Sequence, residues 1–139
     1  MNRPLLFLDV DGPLNPYAAQ PERRPEGCTT LRVPRSGVHE NDGGSLSSRR
    51  RPLRVWLNPE HGRTLLGLGF ELCWATTWMD FANGRPFAWV DDEQSELDQT
   101  YVTAHHQGPG LLHHVNPRIG LRQTDFHTLA AWYDSVAHA

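Results

Sequence analysis

The sequence contains no lysine, and all 13 of its basic residues are arginine. The 16 acidic residues give a net charge of -3, whereas a dedicated nucleic-acid-binding protein usually has a basic excess. No run approaches the roughly 20 apolar residues of a membrane span, so neither nucleic acid nor a membrane is an expected partner. Cys28 and Cys73 are the only cysteines; a disulfide between them is an open alternative without support in the sequence, and a reducing compartment is the simpler interpretation.

The apolar run near the start of the chain, residues 5–8, is too short for a signal peptide and is followed at once by Asp9. We therefore expect a cytoplasmic protein. A length of 139 residues is typical of one domain, and it is enough to bury roughly 68% of the unfolded surface without disulfides or metal ions. We expect residues 1–139 to form a single domain.

Short apolar runs alternate with helical patterns along the chain. Residues 5–10 predict a buried strand, and three further strands are predicted by "ELCWATTW", "FAWVDDE" and "GLLHHV". Helices are predicted after Asn58, at the capping box "SELD", and after Thr124, which we expect to cap the last helix. Strands that alternate with helices predict an α/β fold with a largely parallel sheet.

The segment between the first two buried strands has a different composition. "TTLRV" and "LRVWL" both have strand character and predict a hairpin. Residues 34–52 between them are rich in polar residues, proline and glycine, and they show no apolar periodicity, so we expect a mobile loop at the tip of the hairpin. Together, residues 16–57 would form a small flap.

Polar residues stand at the ends of three predicted strands. In an open parallel α/β sheet, ligands bind at the carboxyl ends of the strands, so we expect these side chains to converge at one edge. The residues are, in chain order, Asp9 and Asp11, Thr76 and Thr77, and Asp91 and Asp92.

The acids among them suit a magnesium site. Mg²⁺ prefers oxygen ligands, usually one or two carboxylates completed by phosphate and water. Asp9 and Asp91 can supply those carboxylates from neighbouring strands. The backbone carbonyl of Asp11 can reach the same ion.

The same edge also suits phosphoryl transfer. A carboxylate at Asp9 can attack phosphorus, and a second acid at Asp11 can carry a proton to the leaving group. The hydroxyl of Thr76, with Thr77 beside it, can donate a hydrogen bond to a phosphoryl oxygen. Gly12 allows the chain to turn out of the strand beside the substrate without a steric penalty.

Three of these stretches resemble motifs of the haloacid dehalogenase (HAD) superfamily of hydrolases. "DVDGPLN", "WATTW" and "WVDDE" look like its first, second and fourth motifs. "RVWLNPEHG", "GRPFAWVDDE" and "NPRIGL" extend the resemblance to small bacterial HAD-domain proteins. It covers nearly the whole chain except residues 20–52, and Pro13 is a minor departure.

The resemblance implies a reduced HAD-like (Rossmannoid) fold, with a parallel sheet flanked by helices and a small hairpin flap. It also implies a magnesium-dependent phosphohydrolase that acts on a small phosphorylated metabolite through an aspartyl-phosphate intermediate. By this resemblance Asp9 is the nucleophile, Asp11 is the general acid/base, and Thr76 holds the phosphoryl group. Asp91 and Asp92 would complete the magnesium site.

The third motif of the superfamily, a lysine or sometimes an arginine, has no counterpart here. In the small bacterial proteins that lysine lies between the "ATTW" and "GRPF" segments, where this chain has only "MDFAN". Arg85 is the only basic residue at the junction, and we interpret it, like Arg118 and Arg122, as a surface charge. The short junction also predicts an exposed apolar surface beside the strand "ELCWATTW".

The missing lysine leaves several functions open. An enzyme without this fixed positive charge is expected to be weak or impaired, because such a charge stabilises the transferring phosphoryl group. One alternative is a non-catalytic HAD remnant that binds metal or phosphate, and another is an interaction module with no active site. The four paired histidines are a weaker metal signal, because neighbours in a strand point to opposite faces and no zinc-like spacing occurs: His105, His106, His113 and His114.

Overall fold

The computed structural model of the protein describes residues 3–34, 52–74 and 82–138. It has an α/β fold in which a four-stranded parallel sheet is flanked by helices, consistent with a Rossmann-like fold and with the predicted class. None of the helices in these ranges is long and apolar enough to cross a membrane. The described elements are, in chain order, β1 (Leu5–Leu8), β2 (Thr29–Val33), β3 (Leu53–Leu57), α1 (Pro59–Gly67), β4 (Glu71–Trp74), β5 (Phe87–Asp91), α2 (Glu96–His105), β6 (Gly110–His114) and α3 (Gln123–Ala137).

The sheet has the strand order β4-β1-β5-β6, and every neighbouring pair is parallel. Leu8, the last residue of β1, is paired with Trp74 on one side and with Val90 on the other. Asp91 at the end of β5 is paired with His114 of β6. The ends of β1 and β5 therefore meet in the middle of the carboxyl edge of the sheet.

Both faces of the sheet are covered, which explains why β1 is apolar along its whole length. Successive strand residues point to opposite faces. On one face Leu6 packs in a cluster with Leu65 of α1 and Leu129 of α3. On the other face Leu5 packs in a cluster with Val102 of α2. A continuous apolar run is what a parallel strand buried on both sides requires.

The first two helices begin where the sequence predicts. The side chain of Asn58 accepts a hydrogen bond from the backbone N–H of Glu60 and caps α1. At the start of α2, the N–H of Ser95 donates to the carboxylate of Asp98 at 2.7 Å, and the predicted capping box is present. These local hydrogen bonds satisfy amide groups that the first turn of a helix leaves unpaired.

The predicted start of the last helix is wrong, because the N-cap is Arg122 and not Thr124. The carboxylate of Asp125 decides the register. It accepts the backbone N–H of Arg122 at 2.7 Å, and its other oxygen lies 2.7 Å from Nε2 of His113 on β6. The contact with β6 fixes Asp125 as the third helical residue, and no local sequence pattern contains that contact.

The hairpin predicted from "TTLRV" and "LRVWL" is present. β2 and β3 pair antiparallel, from Thr29 opposite Leu57 to Val33 opposite Leu53. They form a two-stranded sheet separate from the parallel one. The loop predicted at residues 34–52 falls mostly on residues 35–51, outside the described ranges, and its mobility stays a prediction.

Within the described sheet, β4 is an edge strand with apolar side chains in solvent. Trp74 is 63% exposed and Leu72 is 36% exposed. The expected apolar exposure beside this strand is confirmed. The chain continues from β4 to β5, on the far side of β1, through residues 75–86, of which residues 82–86 are described.

Candidate functional site

Three carboxylates meet at the carboxyl edge of the sheet. Asp9 follows β1, and its N–H donates to the carbonyl of Val90 on β5 at 3.1 Å. Asp91 ends β5, and Asp92 comes next. One carboxylate oxygen from each of the three acids lies within 4.8 Å of the others. We call Asp9, Asp91 and Asp92 the acid cluster, and the predicted convergence of Asp9 with Asp91 is confirmed.

Burial and the neighbouring acids both disfavour a negative charge on Asp9. The pKa of Asp9 is raised from 3.8 to about 7, first by burial and then by the charge of Asp91 and a hydrogen bond with it. The charge of Asp92 adds to this rise, whereas a hydrogen bond from the N–H of Val10 opposes it. The carboxyl group of Asp9 therefore holds its proton to a higher pH than an ordinary aspartate does.

Asp91 is held in place by three hydrogen bonds. Its Oδ1 accepts the backbone N–H of Asp92 at 2.7 Å and that of Glu93 at 3.2 Å. Its Oδ2 accepts the indole N–H of Trp89 at 3.2 Å. A fixed carboxylate beside Asp9 is suited to hold a metal ion, because such ligands are usually hydrogen-bonded by a second layer of groups.

Gly12 brings the loop after β1 close to the acid cluster. Its φ angle is +103°, a left-handed conformation that side chains rarely adopt. A Cβ atom at this position would lie 2.6 Å from Cγ of Asp92. Only glycine fits here without movement of the carboxylate. The role of Gly12 in substrate binding stays a prediction.

An open cavity of about 330 Å³ lies over this edge. Its lining is mostly acidic, which favours a cationic group or an anion accompanied by a cation. It is formed by Asp9, Asp11, Tyr17, Asp92 and Glu93.

A second cavity of about 250 Å³ lies at the end of β4 and is lined by Leu8, Leu72, Cys73 and Trp74. None of these described lining residues carries a carboxylate, in contrast to the acidic cavity.

Asp11 lines the acidic cavity, but its carboxylate is not part of the acid cluster. Nδ2 of Asn15 donates to its Oδ1 at 3.1 Å. Asn15 is only 5% exposed, and its Oδ1 accepts the backbone N–H of Trp56 on β3 at 3.0 Å. One buried amide thus fixes both the predicted acid/base and the flap. Sequence reasoning missed Asn15, because its partner lies 41 positions away.

Tyr17 is a second site residue that sequence reasoning missed. Its hydroxyl donates to Oδ2 of Asp92 at 2.7 Å. This bond, more than burial and the neighbouring carboxylates, raises the pKa of Tyr17 to about 12. The phenol therefore stays protonated at neutral pH and acts as a hydrogen-bond donor to the acid cluster. Its position eight residues after Asp9 gave no signal in the sequence.

The predicted threonines and the arginine of the junction stand differently. Thr76 and Thr77 lie outside the described residues, and their contact with phosphate stays a prediction. Arg85 lies at the opposite edge of the sheet: its Nη2 donates to the carbonyl of Arg3, just before β1, and to the carboxylate of Glu71 at the start of β4. The side chain is only 20% exposed, so the interpretation of Arg85 as a solvated surface charge is wrong. The ion pair holds the amino ends of two strands together.

The paired histidines have partners other than a metal ion. His113 contacts Asp125, and His114 contacts the carbonyl of Asp92 at 3.0 Å. His106 contacts the carbonyl of Arg85, and His105 that of Tyr101. The two members of each pair contact different partners. For His113 and His114 on β6 this is expected, because neighbouring residues of a strand point to opposite faces of the sheet.

No protein-family model, curated protein or solved structure compared with this chain matches it. The case for a function therefore rests on the residues and the geometry of the acidic cavity.

Proposed function

We propose that the protein is a magnesium-dependent phosphohydrolase of HAD type that acts on small phosphomonoesters. The observation that carries this proposal is the acid cluster, with Asp11 lining the same cavity. An all-oxygen set of carboxylates on adjacent strands fits Mg²⁺ better than a softer metal. Mg²⁺ bound there would neutralise both the carboxylates and the oxygens of an incoming phosphate.

In the proposed reaction, a carboxylate oxygen of Asp9 attacks phosphorus, and the bond between phosphorus and the ester oxygen breaks. The departing oxygen takes a proton from Asp11. A water molecule then gives one of its own protons to Asp11 as its oxygen attacks phosphorus. The bond between phosphorus and the Asp9 oxygen breaks, which releases phosphate and regenerates both Asp9 and the protonated Asp11. Asn15 holds Oδ1 of Asp11, so we assign the proton to Oδ2. In this scheme Asp9 provides nucleophilic catalysis and Asp11 provides general acid–base catalysis.

The second candidate function is a remnant that binds a cation or phosphate without turnover. The observation that favours it is the absence of lysine from the chain, together with the position of Arg85 at the far edge. Removal of one preorganised electrostatic donor typically lowers turnover about 10²–10³-fold. We therefore expect weak catalysis at best.

A steady-state assay with p-nitrophenyl phosphate and Mg²⁺ separates these functions. It compares the wild type with Asp9→Asn and Arg85→Ala, and calorimetry measures Mg²⁺ binding in parallel. Turnover that disappears in Asp9→Asn but persists in Arg85→Ala supports the phosphohydrolase. Mg²⁺ binding without turnover supports the remnant. If the protein shows neither turnover nor Mg²⁺ binding, only the interaction module is left.

A further inference from the structure

The flap presents two arginines on the face that meets the rest of the protein. Arg32 lies directly opposite Arg54 in the hairpin, and directly opposite residues share a face. Trp56, two positions after Arg54, lies on the same face. Because Trp56 is only 3% exposed, this is the face that packs inward.

Arg54 contacts Tyr17, one of the residues that line the acidic cavity. Its guanidinium carbon lies 3.6 Å from the ring centroid of Trp56, a cation–π contact that orients the planar group. Its Nη2 lies 3.5 Å from the carbonyl oxygen of Tyr17. The hydroxyl of the same tyrosine donates to Asp92. A single residue therefore bridges Arg54 and the acid cluster.

The arginine pair is electrostatically unfavourable without an anion. Like charges directly opposite in a strand pair destabilise it. In the described ranges, no carboxylate forms an ion pair with either Arg32 or Arg54. Guanidinium groups bind carboxylates and phosphates with two parallel hydrogen bonds, so an anionic ligand would relieve the repulsion.

We propose that Arg54, assisted by Arg32, binds a second anionic group of the substrate. The substrate class is then a small phosphomonoester that carries a further carboxylate or phosphate. Its reacting phosphoryl group lies at the acid cluster, and its second anion lies at the flap. This inference rests on the proposed function, because it takes the acidic cavity as the phosphoryl site.

Non-hydrolysable probes test the inference apart from turnover. Three phosphonates are compared by calorimetry in Mg²⁺: 4-carboxybenzylphosphonate, 1,4-xylylene bisphosphonate and the neutral amide 4-carbamoylbenzylphosphonate. We expect either anionic probe to bind about tenfold more tightly than the amide, the fold-change of one charge-assisted hydrogen bond. The better of the two anionic probes identifies the second group as carboxylate or phosphate.

The variants assign the preference to the flap. Arg54→Ala should abolish the tighter binding of the anionic probes. Arg54→Lys should keep only part of it, because an ammonium lacks the planar fork of a guanidinium. Arg32→Ala removes an exposed side chain, so it should fold normally and lose part of the preference. Arg63→Ala is the control, since Arg63 pairs with Glu60 on the surface of α1.

Equal binding of the charged and neutral probes overturns the inference, as does a preference that persists in Arg54→Ala. Loss of p-nitrophenyl phosphate turnover alone overturns only the proposed function, because the phosphonates report binding without hydrolysis. If none of the probes binds in Mg²⁺, the inference fails together with the phosphoryl site.

Discussion

Replacement of Asp9 by asparagine should stabilise the cation-free protein, although it removes the proposed nucleophile. The amide keeps an oxygen for the N–H of Val10, and its NH₂ can donate to Asp91 at every pH. What disappears is the charge that the acid cluster disfavours. The substitution should therefore raise the free energy of unfolding, whereas most substitutions at packed residues lower it.

The magnitude follows from the geometry of the cluster. Two unit charges at the cluster's upper separation of 4.8 Å repel by ~3.5 kcal/mol at an effective dielectric constant near 20, and by ~0.9 kcal/mol in bulk water. Asp9 is partly exposed, so solvent screening favours the lower part of this range, about 1–2 kcal/mol. For a domain of this size, such a change raises Tm by roughly 3–8 °C.

The stabilisation by Asp9→Asn should also depend on pH. Because the pKa of Asp9 is about 7 in the folded protein, against an ordinary value of 3.8, the wild type binds more protons folded than unfolded between these two pH values. Its stability therefore falls as pH rises from about 4 through 7. The advantage of Asp9→Asn should be near zero at pH 4 and complete at pH 8.

Thermal unfolding in EDTA, from pH 4 to pH 8, measures this difference, with the exposed acid Asp134→Asn as the matched control. The same series is repeated with Mg²⁺. A cation at one hundred times its Kd stabilises a folded protein by about 2.7 kcal/mol, and Asp9→Asn should lose most of that gain. Parallel pH profiles of the two proteins in EDTA, or an equal Mg²⁺ gain in both, would refute the reasoning.

Three further results are expected. Gly12→Ala should lower Tm and weaken Mg²⁺ binding, because the new Cβ would lie 2.6 Å from a carboxyl carbon of the acid cluster. The control Gly67→Ala, in open space on α1, should do neither. If the two variants had equal effects on Tm and on Mg²⁺ binding by calorimetry, this prediction would be wrong. Asn15→Ala should cost about 1–3 kcal/mol in urea unfolding, since the N–H of Trp56 stays buried without its acceptor, and a loss well below about 1 kcal/mol would argue against the link. The affinity for Mg²⁺ should fall by up to about tenfold for each pH unit below 7, because a proton competes with the cation at Asp9; calorimetry that finds a constant affinity from pH 5 to pH 7 would exclude this competition.

Local patterns in the sequence were enough to predict the elements of the fold. The apolar run before Asp9, the capping residues of α1 and α2 and the two halves of the hairpin all appear where they are predicted. They also predict that acids end two parallel strands and therefore share one edge of the sheet. Each of these features depends on residues close together in the chain, which is why a pattern can reveal it.

Only the tertiary structure decided which groups surround the acids. The order of the strands sets β1 beside β5, and Asp9 thereby contacts Asp91. Tyr17 donates a hydrogen bond to Asp92, 75 positions later in the chain. Arg85 lies at the opposite edge of the sheet, where it forms an ion pair with Glu71. Hydrogen bonds between such distant residues exist only when strand order and crossover have brought them together, so no local pattern of the sequence contains them.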